Sequence, residues 1–200
     1  EEFLDLLDLF DALNAGNSSG LVLLDLHTTS GDAPPFSVIT DHDANHHIAR
    51  ALPMPSVLGF DRYVDEPILS YFARRHWPAI GIEGGRQGSL DAVYFLEEAV
   101  LRILRSLGWP ALDLAADLDD YACFTIRYRH AVVPGSRFVM EPGFRSFDRV
   151  RRGEVLARDK TGVIRSAIDG LIFLPLYQRQ GADGFFLLSV TESTGRSSAR

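Results

Sequence analysis

The segment Leu21-Val22-Leu23-Leu24-Asp25-Leu26-His27-Thr28-Thr29 runs through consecutive apolar residues into a histidine and two threonines. Ala79-Ile80-Gly81-Ile82-Glu83-Gly84-Gly85 repeats the arrangement with a glutamate in the place of the histidine. Short apolar runs bounded by turn residues read as strands buried on both faces, the kind that parallel sheets use. Both runs end in a side chain able to do chemistry. In open α/β sheets, sites form where the carboxyl ends of strands open.

Helical patterns alternate with these strands. Phe3, Leu6, Leu7, Phe10 and Leu13 recur at helical spacing, and Asn14-Ala15-Gly16 ends that helix. Phe36-Ser37-Val38-Ile39 reads as a further strand, and Pro67 as the first residue of a helix ending near His76. Ser89 caps the strongest helix, which carries Val93, Leu96, Val100, Leu101, Leu104 and Leu107. Gly108, Trp109 and Pro110 stop it. Strands and helices in alternation predict an α/β sheet with helices on its faces.

The pattern changes beyond the acidic stretch Asp113–Asp120. Pro134-Gly135, Pro142-Gly143, Arg152-Gly153, Thr161-Gly162 and Asp169-Gly170 break the chain into short β-rich pieces. The expected organisation is an α/β domain over 1–112, an all-β domain over 113–190 and a disordered Ser-rich tail over 191–200.

Composition narrows the class. Among 200 residues, 46% are hydrophobic and 24% charged, which excludes a disordered or fibrous chain. No uncharged apolar run approaches the ~18 residues of a membrane span. A net charge of −7 with no concentrated basic face argues against nucleic acid. The one cysteine, Cys123, rules out an intrachain disulfide framework and favours a reducing, cytoplasmic location. The chain opens on Glu1-Glu2 without a basic-then-apolar leader, and reads as cut into mid-sequence.

Read by themselves, His27 is either a hydrogen-bonded structural residue or a ligand. Glu83 either caps turn amides, pairs with an arginine, or is put to use. A buried carboxylate is costly unless something engages it. His42 and His46, with Asp41, Asp43 and His47 beside them, have the spacing of a helical metal pair, against which stands ordinary helix capping by Asp41 or Asp43.

Taken in order, the Asp25-Leu26-His27-Thr28-Thr29 strand, Gly81-Ile82-Glu83-Gly84-Gly85 before a long helix, and Gly181-Ala182-Asp183-Gly184-Phe185-Phe186 near the end resemble the succinylglutamate desuccinylase/aspartoacylase family. The resemblance implies a zinc-carboxypeptidase-like mixed sheet with flanking helices, incomplete here, followed by a hammerhead-like C-terminal β domain. It implies a zinc-dependent hydrolase that removes an acyl group from an N-acyl amino acid or similar small amide. On the same ground His27 is the expected metal ligand and Glu83 the base acting on zinc-bound water. Arg74, Arg86 and Tyr177 are expected to contact substrate. The family's His-x-x-Glu ligand pair has no counterpart in this sequence. The other ligands are therefore expected upstream of this chain, and this chain alone is expected to be inactive. A homo-oligomer is compatible with all of this.

The alternative is a non-catalytic binding or carrier-type β module attached to an inactive α/β fragment. Val150 to Gly170 resembles the hairpin of biotinyl/lipoyl carrier domains, with Lys160 near the turn, although Asp159-Lys160-Thr161 is a poor match to a carrier lysine's surroundings.

Overall fold

A computed structural model describes residues 2–16, 20–31, 33–63, 67–109, 121–178 and 181–191. The acidic stretch 113–120 and residues 192–200 of the tail lie outside these.

The two quoted runs are strands β1 (Leu23–Thr29) and β4 (Ala79–Arg86), parallel neighbours with Leu24 beside Ile80 and His27 beside Glu83. Both strands run further than their apolar cores, so His27 and Glu83 sit inside regular strand rather than just past its end. The hydrogen-bonded ladder continues across Thr29 and the two glycines because backbone pairing, not side-chain apolarity, decides where a strand stops.

Strand β2 (Phe36–Ile39) lies antiparallel to β4 and parallel to β3 (Ser56–Leu58). The hydroxyls of Ser37 and Ser56, both buried, meet at 2.7 Å and satisfy each other. Beyond β3 come β5 (Cys123–Ala131), β11 (Asp183–Val190), β10 (Gly170–Phe173) and β7 (Arg149–Val150), in that order. A second sheet joins β6 (Val139–Met140), β8 (Val155–Asp159) and β9 (Gly162–Arg165).

The described residues from 121 onward are strands, turns and loops, as the glycine spacing implied. Their three-stranded sheet is their own, but their longest strands join the large sheet. β5 pairs in parallel with β3, so one eight-stranded sheet runs through both halves of the chain.

Helices α2 (Asp43–Ala49) and α4 (Leu90–Ser106) cover one face of this sheet. Ala99 and Ile103 of α4 join Ile80, Ile82 and Ile39 in one core. Ser89 caps α4 by accepting from the Asp91 amide at 3.2 Å. His42, not either aspartate, caps α2, through Nδ1 to the Ala44 amide at 3.3 Å. Helices α1 (Glu2–Ala15) and α3 (Pro67–Arg74) lie on the other face, where Phe72 meets Phe10 edge-to-face at 5.1 Å. That core continues through Phe36, Val38, Phe173 and Phe186. Each fully buried side chain of this size contributes roughly 1.5–3 kcal/mol.

Between the two sheets, His130 stacks on Phe185 at 5.1 Å and on Phe138 at 5.3 Å. Burial disfavours the charged ring and holds its pKa below the ordinary 6.5. As pH falls through 6.5 the unfolded chain takes up the proton first, so stability drops until the folded pKa is passed. His130→Phe keeps the stack without a titrating group. Denaturant unfolding of this variant should vary less between pH 7 and pH 5 than that of the wild type; an equal slope would place the titration elsewhere.

Candidate functional site

Side chains on a strand alternate between faces, so Asp25 and His27 share one face of β1. Register sets Gly81 beside Asp25 and Glu83 beside His27 on that same face of β4. Two residues far apart in sequence are thereby brought together by backbone pairing alone.

Their chemistry is coupled. Asp25 Oδ1 lies 2.7 Å from His27 Nε2, a contact that holds the imidazole by one nitrogen and leaves Nδ1 for another partner. A Cβ at Gly81 would meet Leu69 Cδ1 at 3.4 Å and Val38 Cβ at 3.5 Å, so this position is closely packed. Among the described residues, Glu83 Oε2 is the one buried side-chain polar atom without a hydrogen-bond partner. Burial raises the Glu83 pKa, the Asp25 charge adds to that, and the His27 imidazole opposes it. A carboxylate so raised holds a proton more readily than an exposed one.

The strand end is built to leave that carboxylate in place. Thr29 Oγ1 donates to the Gly85 carbonyl at 3.1 Å, and the Gln87 amide donates to the Thr29 carbonyl at 2.9 Å. Gly85 takes φ +106°, open to glycine but strained for other residues. Gly84 is small for a different reason: a Cβ there would lie 2.6 Å from Leu96 Cγ and 2.9 Å from the Ala92 carbonyl. Gly84 thus lets α4 press directly on the strand that carries Glu83.

Glu83 opens into a cleft of about 390 Å³, lined also by Thr28, Ser30, Phe60, Ser146 and Asp183. Its far wall comes from residues 174–176, 178 and 181–183 of the C-terminal half. Gln178 Nε2 donates to Ser30 Oγ at 3.1 Å and ties that wall to the end of β1. Asp183 is held by the Arg129 guanidinium, which also donates to the Tyr63 carbonyl. A larger groove of about 1230 Å³, lined by Phe124, Phe147 and Arg149 among others, is bordered by neither His27 nor Glu83.

His27 and Asp25 are not among the lining residues, and the other expected contacts also fall outside this cleft. Arg74 ends α3, ahead of the amino end of β4, whereas Glu83 lies toward its carboxyl end. Arg86 ends β4 beside Thr29 with an exposed side chain and does not line the cleft. The Tyr177 hydroxyl donates to the Glu141 carbonyl at 2.8 Å and accepts from the Phe144 amide at 2.9 Å, bracing a turn, while its neighbours Leu176 and Gln178 line the cleft. His46 is taken by Asp41 at 3.0 Å and the Tyr121 hydroxyl at 3.1 Å, and His42 by its capping role. Asp25 and Gln178 are the additions that the structure makes. A D-x-H spacing on a strand puts both side chains on one face, so Asp25 was readable; Gln178 was not.

A zinc site needs three or four donors. Among the described residues no group of three His, Cys, Asp or Glu side chains is placed to hold a metal ion. One imidazole beside a buried carboxylate with a free oxygen fits a single ligand position and its neighbouring base, and no more.

No protein-family model and no curated protein sequence matches the chain. Solved structures share its fold. A succinylglutamate desuccinylase from Vibrio parahaemolyticus superposes with TM-score 0.65 at 18% identity, over 94% of this chain and 60% of that one. A succinylglutamate desuccinylase/aspartoacylase from Rhodobacter sphaeroides gives 0.59 at 19%, over 84% and 57%. The product-bound ectoine utilization protein EutE (DoeB) from Ruegeria pomeroyi gives 0.60 at 16%, over 84% and 56%. The mixed-sheet α/β fold that the motifs implied is therefore shared with these structures, and the chain spans less than two thirds of their length.

Gly84→Ala should destabilise the protein by roughly 1–3 kcal/mol, because a methyl there overpacks the α4 contact. Urea unfolding with an unchanged midpoint would show that α4 is free to move away from β4.

Proposed function

We propose that this chain, built on the succinylglutamate desuccinylase/aspartoacylase fold, carries part of the active site of a zinc-dependent hydrolase. The reaction removes an acyl group from an N-acyl amino acid or a similar small amide. The observation that carries this reading is the buried, unpartnered Oε2 of Glu83 in register beside an Asp25-held His27.

Zinc, when bound, supplies Lewis acidity toward the amide carbonyl and lowers the pKa of a water. His27 would hold the ion through Nδ1, the nitrogen not taken by Asp25. The remaining ligands come from polypeptide outside this sequence. Glu83 takes the proton from the attacking water, its raised pKa making it a competent acceptor, and returns that proton to the departing amine. The cleft of about 390 Å³ suits a small ligand, and its C-terminal wall orients that ligand and keeps bulk water from the carboxylate. Among the described residues no helix is long and apolar enough to cross a membrane. A cytoplasmic setting, in keeping with the half-buried free thiol of Cys123, belongs to the same proposal.

The test combines metal content with turnover of a panel of N-succinyl and N-acetyl amino acids by a zinc-loaded protein that includes the polypeptide supplying the other ligands. Glu83→Gln should lower kcat by about 10²–10⁴-fold with metal content unchanged, and His27→Ala should lose metal. Near-normal turnover by Glu83→Gln would remove the residue from the mechanism.

A further inference from the structure

The cleft that Glu83 opens into is lined in a way that selects what can lie there. Its base is aromatic: Phe60 and Phe186, both buried, meet at 5.5 Å between ring centroids. Leu174, Pro175 and Leu176 make the apolar part of the far wall. Leu174 holds φ +48°, a left-handed backbone that a residue with a side chain keeps only where its surroundings impose it. Polar groups at the rim are already engaged. Gln178 donates to Ser30 Oγ, and Ser146 Oγ accepts from the Leu174 amide at 3.1 Å. The charged side chains among the described lining residues are two acids, Glu83 and Asp183. The nearby Arg129 guanidinium is spent on Asp183 and on the Tyr63 carbonyl. A ligand carboxylate placed here would meet like charge from Glu83 and cover apolar surface with a group that needs water. A cation brought from elsewhere would meet the same two acids before it could hold such a ligand. Aromatic base, aliphatic wall and acids together accept an uncharged apolar group and reject an anion.

We infer that the amine half of the substrate lies in this cleft and carries an uncharged apolar side chain, so that the amino acid released is of the leucine or phenylalanine kind rather than aspartate or glutamate. This rests on the hydrolase reading above, in which Glu83 passes the water proton to the departing amine. Water adds its hydroxyl to the acyl carbon, the C–N bond breaks, and the nitrogen leaves with that proton. The leaving nitrogen is thereby set against Glu83, which lines the cleft, whereas His27 does not. Its substituent runs over Phe60 and Phe186 toward Leu176, and the acyl group lies on the His27 side. Leu176 is the specificity-determining position of the wall. Its amide donates to the Gly184 carbonyl at 2.8 Å, and Gly181 makes room for its side chain, since a Cβ there would lie 2.6 Å from Leu176 Cδ1.

The experiment uses protein that includes the polypeptide supplying the other ligands. Titration calorimetry of its zinc-free form, in which nothing turns over, should show N-acetylleucine and N-acetylphenylalanine binding about 10–100-fold more tightly than N-acetylaspartate and N-acetylglutamate. In the zinc-loaded form kcat/KM should follow the same order. N-hexanoylglutamate should stay as poor a substrate as N-acetylglutamate, because its apolar half is the acyl one. Leu176→Arg, which puts a cation on the wall, should narrow the gap by weakening N-acetylleucine and improving N-acetylglutamate. The panel on the unaltered protein decides the matter even if this variant fails to fold. Turnover of none of the four acetyl compounds would defeat the hydrolase reading, and with it the assignment of the amine half. Turnover of all four with the acidic pair bound as tightly as the apolar pair, or rescue of the glutamate derivative by the hexanoyl chain, would overturn the inference and leave the hydrolase standing.

Discussion

The parallel pairing of β1 with β4 is the constraint on which the rest of this molecule depends. Its register sets Leu24 against Ile80 and Leu26 against Ile82 toward the α4 face, and His27 against Glu83 toward the other. A slip of β1 by one residue would turn its side chains to the opposite face, taking Leu24 out of its core and turning Asp25 and His27 toward it. The hydrophobic pattern of the two strands therefore enforces the juxtaposition of imidazole and carboxylate.

That juxtaposition is electrostatically demanding. Glu83 lies beside the buried Phe36 on β2, which limits the water that can reach it, and one of its oxygens is buried without a partner. Stability alone would favour a glutamine or an apolar residue there. The neighbouring imidazole offsets part of the cost, and Asp25 holds that imidazole while itself making Glu83 harder to ionise. Local arrangements that work against stability while keeping a titratable group half-buried in a cleft are the signature of a site rather than of a scaffold.

Continuity of the sheet completes the cleft. Because β5 pairs with β3, the C-terminal half is not hung from a linker alone but hydrogen-bonded to the same sheet. β11 pairs with β5, and the turn entering it brings Gly181, Ala182 and Asp183 to the wall facing Glu83. Gly184 is held to hydrogen by Phe138 and His130, since a Cβ there would lie 2.6 Å from the Phe138 ring, so this wall is packed against the second sheet.

Much of this could be read from the order of residues. The apolar runs before His27 and Glu83, the Ser89 cap with its helix, and the glycine rhythm beyond residue 121 all depend on local periodicity and capping, which a linear sequence carries in full. Asp25 was readable too, from the two-residue period of a strand. What the sequence could not show were relations between distant segments. The short strand Ser56–Leu58 has no pattern of its own, yet it joins the halves of the sheet. Tyr177 is near the cleft in sequence but spends its hydroxyl on a turn, and Arg74 falls ahead of the amino end of the strand whose carboxyl end bears Glu83. Sequence by itself marked most of the strands and helices and the residues able to do chemistry, because those are matters of spacing. Only the tertiary structure decided which of them share a cleft, because pairing partners and strand direction are set by hydrogen bonds between segments that no local pattern links.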